Sequence, residues 1–233
     1  MTTPSPPRTS RGERTTASRR PPRGRAEPIA PRRSRRETQA ENDARLLAAG
    51  RTVFLQRGFH GASLDLVSRE AGLTKGAVYA RFEGKADLFL ALLARHVEER
   101  LEEMRRAARG ASAPADAARR IARQWMKRSA AQEDWALLLV EFRVHAARDA
   151  ALLARYRDVH AVLSRGVATL LRDFYAARDL EPPLQVESMA RLALAVGNGL
   201  ALERWAERAG DHAALAERVL VALAEGRLGE EER

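Results

Sequence analysis

The chain has 233 residues, no cysteine, 45% hydrophobic and 31% charged residues, and a formal net charge of +10. That length supports one or two domains with a sizeable core. The lack of cysteine excludes disulfides and thiolate-based metal or redox chemistry, and it fits a reducing cytoplasm.

The charge is uneven. Eleven arginines against Glu13 and Glu27 give residues 1–36 a net +9, which leaves +1 of the total for the rest. This segment is rich in Pro, Arg, Ser and Thr and poor in large apolar side chains. It cannot bury enough surface to offset its ordering entropy, so it reads as a disordered basic arm. Arg32, Arg33, Arg35 and Arg36 stand directly before the first helix, well placed to track phosphates or reach a minor groove. A solvated tail without a defined role is the alternative. No apolar core follows the basic stretch, so it does not read as a secretory signal. No run of about eighteen apolar residues marks a membrane span, and no membrane partner is expected.

The first helix is expected from about Glu37 to Gln56, with Ala44, Leu47, Ala48, Val53, Phe54 and Leu55 on its apolar side. Gly58 ends it, and Phe59 anchors the return loop. The stretch Ser63–Lys85 organises the chain around it. Leu64, Val67 and Ala71 recur at helical spacing, Ser63 is a fitting N-cap, and Gly72 suits the left-handed residue that closes a helix. Leu73 plugs the turn, and Thr74 opens a second short helix, to about Arg81, with Ala77, Val78 and Phe82 available for packing. Two short helices around a tight glycine-containing turn make a helix-turn-helix, whose second helix enters the DNA major groove. Gly76 and Ala77 let that helix come close to base edges. Gly76 costs the helix roughly 1 kcal/mol against Ala, which often marks a close approach.

The stretch GFHGASLDLVSREAGLTKGAVYARFEGKADLFLALL resembles the DNA-binding domain of tetracycline-repressor-type (TetR-family) regulators. Phe54, Gly58, Phe59, Ser63, Ala71, Gly72, Leu73, Thr74, Tyr79, Phe82 and Lys85 carry the resemblance, which covers about residues 37–95. Ser68 stands where that family usually has Ala, and Ala80 where it often has His or Asn. The resemblance implies phosphate contacts from Ser63, Thr74, Lys75, Tyr79 and Lys85. Thr74, Lys75, Ala77 and Arg81 are the candidates for sensing bases, and Gly76 completes the DNA-facing set.

Lys85 opens a fourth helix to about Arg106, with Leu88, Phe89, Leu92, Leu93, His96, Val97 and Leu101 on its apolar side. Pro114 starts a fifth helix, to about Lys127. Further helices are expected over about Glu133–Ala147, Ala150–Arg178, Gln185–Ala209 and His212–Ala224. Nothing shows the alternation or turn chemistry of a sheet. The fold class is therefore all-α, about nine helices, with a three-helix helix-turn-helix head and a helical second domain. The expected divisions are the arm at 1–36, the head at 37–96 with its helix-turn-helix at about 62–81, the second domain at 97–226 and a tail at 227–233.

The resemblance implies that the second domain binds a small-molecule effector and forms a homodimer through its last two long helices. Leu192, Val196, Gly199, Leu200, Leu215 and Val219 are the dimer candidates. Leu220 and Leu223 add to an apolar surface that one chain would struggle to cover. Gly197 and Gly199 permit close helix approach. Trp125, Phe142, His145, Tyr156, His160 and Asn198 are the effector candidates, on apolar walls with a few polar contacts. Each of them also fits ordinary core or interface packing.

Glu141, His145 and Asp149 are spaced i, i+4, but surface ion pairing accounts for that spacing better than a metal, since no third and fourth ligand is placed. Gly84-Lys85 lacks the rest of a phosphate loop, and no Gly-x-Ser-x-Gly occurs. No enzyme activity, metal or cofactor is implied. The resulting reading is a ligand-responsive, homodimeric repressor in the cytoplasm, bound to a palindrome-like duplex. Its rival is a nonspecific DNA-binding protein driven by the basic arm.

Overall fold

The computed structural model describes residues 35–126, 130–207 and 210–227. The basic arm up to residue 34 and the tail from residue 228 lie outside the described residues. Among the described residues there are nine helices and no strand: α1 Arg35–Gly61, α2 Leu64–Ala71, α3 Lys75–Tyr79, α4 Lys85–Ala108, α5 Pro114–Met126, α6 Ala130–Ala146, α7 Ala150–Ala176, α8 Val186–Ala206 and α9 His212–Ala224.

The punctuation follows local chemistry. Asp149 caps α7 by accepting from the Ala151 and Leu152 N–H groups. Asp211 caps α9 through the Ala214 N–H. These caps satisfy donors that the first turn leaves open. Gly58 breaks α1 with φ 67°, ψ 174°, which a side chain would resist.

The break aims Phe59 into the centre of the molecule, where it is fully buried. Its ring lies 5.9 Å from Phe54, 5.7 Å from Phe89 of α4 and 5.1 Å from Phe142 of α6. Phe89 stacks on Phe142 at 4.2 Å. The core of the head thus runs without interruption into that of the helices behind it. A pair from Arg155 of α7 to Asp87 at the start of α4, 2.6 Å long, ties the same two regions on the outside.

On α1 the buried face is turned from the expected one. Leu46, Ala49, Val53 and Phe54 are buried and Leu47 and Leu55 half-buried, whereas Ala44 and Ala48 are exposed. Alanines carry little directional information in a helix rich in them. Far from the head, Ala122, Tyr175, Met189, Leu220 and Leu223 form a second core. Leu220 and Leu223 are therefore covered within the chain, contrary to the sequence reading. The Tyr175 hydroxyl donates to the Ala224 carbonyl at 2.7 Å and pins α9 to α7.

Replacing Phe59 by Ala removes the ring shared by α1, α4 and α6. The expected loss is about 3–5 kcal/mol of stability, measured by urea unfolding.

Candidate nucleic-acid interface and internal cleft

The corner between α2 and α3 is built from hydrogen bonds. The Ser63 hydroxyl accepts from the Leu66 N–H, and the Thr74 hydroxyl accepts from the Ala77 N–H. Gly72 sits at φ 62°, ψ 35°, its N–H donates to the Arg69 carbonyl, and the Leu73 N–H reaches the Ser68 carbonyl at 3.0 Å. That is the left-handed ending that only glycine adopts without strain. Arg45 of α1 donates to the Ala71 carbonyl at 2.7 Å and holds the corner from outside. Ser68 is buried, and its hydroxyl donates to the Asp65 carbonyl, so the extra oxygen is accommodated locally.

Val78 is the one buried residue of α3. Thr74, Lys75, Gly76, Ala77, Tyr79, Ala80 and Arg81 are all exposed, and no atom lies within 4 Å of where a Gly76 side chain would begin. Tyr79 is 53% exposed, which is unusual for so large a ring. Packing therefore gives no reason for Gly76 or for the outward Tyr79. The two capping hydroxyls accept inward and retain a hydrogen to donate outward.

The cations on this face have internal partners. Lys75 pairs with Asp65 at 2.5 Å, Tyr79 donates to the same carboxylate at 3.4 Å, and Arg81 pairs with Asp43 at 2.8 Å. The hydrogen bond from Lys75 holds the Asp65 carboxyl below its ordinary range. Lys85, expected from the resemblance to meet a phosphate, is turned inward instead. Its ammonium donates to the His60 and Ala62 carbonyls at 2.8 and 3.2 Å and lies 4.9 Å from the centre of the Phe59 ring. Burial lowers its pKa. Two carbonyls left open by the end of α1 explain this position without an external anion.

Behind the head lies a cleft of about 90 Å³ among α4, α5, α6, α7 and α8. Of the expected effector residues, Trp125, Tyr156, His160 and Asn198 line it. Phe142 and His145 do not. Phe142 is fully buried in the aromatic core, and His145 packs 4.8 Å from Phe59 and 5.8 Å from His60. Both lie on the side of α6 turned to the head. Among the lining residues that the sequence reading missed are Arg100 of α4, Arg143 of α6, Arg204 of α8, His96 and Trp135. Arg100 is only 8% exposed and lies over the Trp125 ring at 4.5 Å. Its position on the stripe Leu93, Val97, Arg100, Met104 was a readable signal. Arg143 donates to the Tyr156 hydroxyl. Burial, and then the Arg143 charge, push the His160 pKa down.

The dimer candidates divide differently. Leu192, Gly199 and Leu215 are exposed, while Val196, Leu200 and Val219 are half-buried, all on α8 and α9. A Gly199 side chain would meet nothing, whereas one at Gly197 would overlap the Trp125 ring. Gly197 thus serves the cleft, and Gly199 faces outward.

Residues 46–92 match the family described as "Bacterial regulatory proteins, tetR family". The HTH-type transcriptional activator FasR of Mycolicibacterium smegmatis is 38% identical over 78 residues, covering 34% of this chain and 36% of that protein. The HTH-type transcriptional repressor BepR of Brucella suis is 40% identical over 78 residues, covering 34% and 37%. The chain thus matches little more than a third of the length of these curated relatives. The fatty acid degradation regulator FadR of Bacillus halodurans has the same fold, with a TM-score of 0.65 at 16% identity over 82% of this chain and 97% of that one.

Gly197→Ala is expected to push the Trp125 indole out of its seat. The overlap costs about 1–3 kcal/mol, against which the better helix propensity of Ala returns up to about 1. A lowered melting temperature together with a shifted tryptophan emission would report it.

Proposed function

The chain belongs to the tetR family of bacterial regulatory proteins, and on that premise we propose that it is a site-specific transcriptional regulator, a homodimer released from its operator by a small molecule. The observation that carries this reading is the outer face of α3, where Gly76 and the outward Tyr79 have no packing role. Ser63, Thr74, Lys75 and Tyr79 take phosphates, and Thr74, Lys75, Ala77 and Arg81 sense bases through the major groove. Lys85 keeps the α1–α2 turn in place and is left out of that set.

The exposed stripe of Leu192, Gly199 and Leu215, flanked by Val196, Leu200 and Val219, supports pairing with a second copy. A two-fold dimer sets two copies of α3 roughly 34 Å apart on a palindrome-like site. Repression is the proposed sign; of the two relatives named, one is an activator and the other a repressor. The protein acts in the cytoplasm, on the nucleoid. No described helix is long and apolar enough to cross a membrane.

Release is transmitted by α6. Trp135, Leu139 and Arg143 line the cleft, while Glu141 and Phe142 of the same helix hold the head. The Glu141 carboxylate accepts from the Phe59 N–H at 2.7 Å. An effector that prefers one position of α6 therefore prefers one position of the head.

The test is titration onto the duplex upstream of the protein's own gene, beside a scrambled duplex of equal length, at near-physiological salt. A preference of about a thousandfold is expected. Equal binding to both, lost on deleting residues 1–34, would replace this reading with arm-driven nonspecific binding. Lys75→Ala is expected to lower the salt slope by about one, and Lys85→Met to leave it unchanged.

Leu192→Glu places a charge in the proposed dimer face. Sedimentation should then report a monomer, with operator affinity down by roughly a hundredfold or more as the linked second half-site is lost.

A further inference from the structure

The cleft behind the head has a one-sided chemistry. Its described ionisable walls are Arg100, Arg143, Arg204, His96, His160 and Tyr156, and no carboxylate is among them. The three arginines come from three helices, α4, α6 and α8, and each guanidinium only donates. The Trp135 indole N–H, on the same wall, is buried with no hydrogen-bond partner among the described residues. A buried donor left unmet is costly, and native structures rarely keep one without a reason. Among the described residues the wall is thus rich in donors and positive charge, although Arg143 already meets the Tyr156 hydroxyl and His96, Arg100 and Arg204 each have a contact of their own.

A second cavity of about 70 Å³ adjoins it. Ile121, Leu170, Phe174 and Leu220 contribute to a lining without a charged residue. Trp125 and Leu194 belong to the walls of both cavities. The missing side chain at Gly197 lets the Trp125 ring lie there as a partition.

We infer that the effector is an amphipathic organic anion, its carboxylate or phosphate held by Arg100, Arg143 and Arg204 and its apolar body directed past Trp125 into the second cavity. Guanidinium pairs recognise both head groups in the same forked geometry. The inference rests on reading the second domain as a sensor, and it names what is sensed. An anion shared by α4, α6 and α8 also bears on Arg143, two residues from the Glu141 that holds the head.

The test reads binding without DNA, through the emission of Trp125 and Trp135, with decanoate, decyl phosphate, decanol and decylamine as probes of equal chain length. Saturable binding of an anion about tenfold or more tighter than decanol is expected, with decylamine weakest. The better of the two anions identifies the head group. Acetate and inorganic phosphate should fail to compete, because they lack the apolar body. Arg204→Gln should bring anion binding down to the level of decanol while decanol binding stays as it was, which also shows that the variant is folded. Decanol or decylamine binding as tightly as the anions would overturn the inference. So would the absence of saturable anion binding below the order of 1 mM. Release from DNA is measured separately. Decanoate binding without release would keep the site and remove its role as effector site, whereas release by a cation alone would keep the regulator and overturn the anion.

Discussion

The turn between α1 and α2 is held from behind the head. Glu141 of α6 accepts the Phe59 N–H, and Lys85 of α4 grips the carbonyls of His60 and Ala62. Gly58 makes this possible: its positive φ directs the turn inward, and a side chain there would begin 2.8 Å from the Glu141 carboxylate. The rest of the head depends on this clamp. With five residues and only Val78 buried, α3 has too little packing to set its own direction. It takes its place from α2, which is placed by the turn, by packing on α1 and by the Arg45 hold on the Ala71 carbonyl.

The same clamp makes α6 an element with two duties. One side of it packs Phe142 against Phe59 and Phe89, and another turns Leu139 and Arg143 to the cleft. Close-packed interiors shift between discrete arrangements and do not stretch. A helix gripped on both sides therefore transmits displacement as a rod would. The tetR-type head and the helices behind it share one aromatic core, so no break in packing among the described residues falls at the expected division near residue 96.

Much of this was legible in the chain. Ser63, Gly72, Thr74, Asp149 and Asp211 are residues whose local chemistry decides where helices start and stop, and the elements fall where they direct. The cleft was half legible. Trp125, Tyr156, His160 and Asn198 line it, but Phe142 and His145, expected beside them, do not, because the periodicity of α6 does not say which side meets which neighbour. The arginines were missed for the opposite reason. Arginine on a helix is usually solvated, and only a tertiary fold brings positions 100, 143 and 204 together. Lys85 shows the limit of resemblance: its position in the motif is right, yet nearby carbonyls claim its ammonium.

Asp43 and Asp65 pair with the positive groups of the α3 face. On the proposed reading a phosphate must displace Asp65 before Lys75 is of use to it, and a base edge must displace Asp43 before Arg81 is. On arbitrary DNA, where base edges offer nothing further, that exchange is close to even, since exposed ion pairs are worth little. At a fitting sequence the base contacts tip it. On the proposed reading the head is thereby shielded from its own charge, which would shorten its dwell time on wrong sequences and speed the search along a long polyanion.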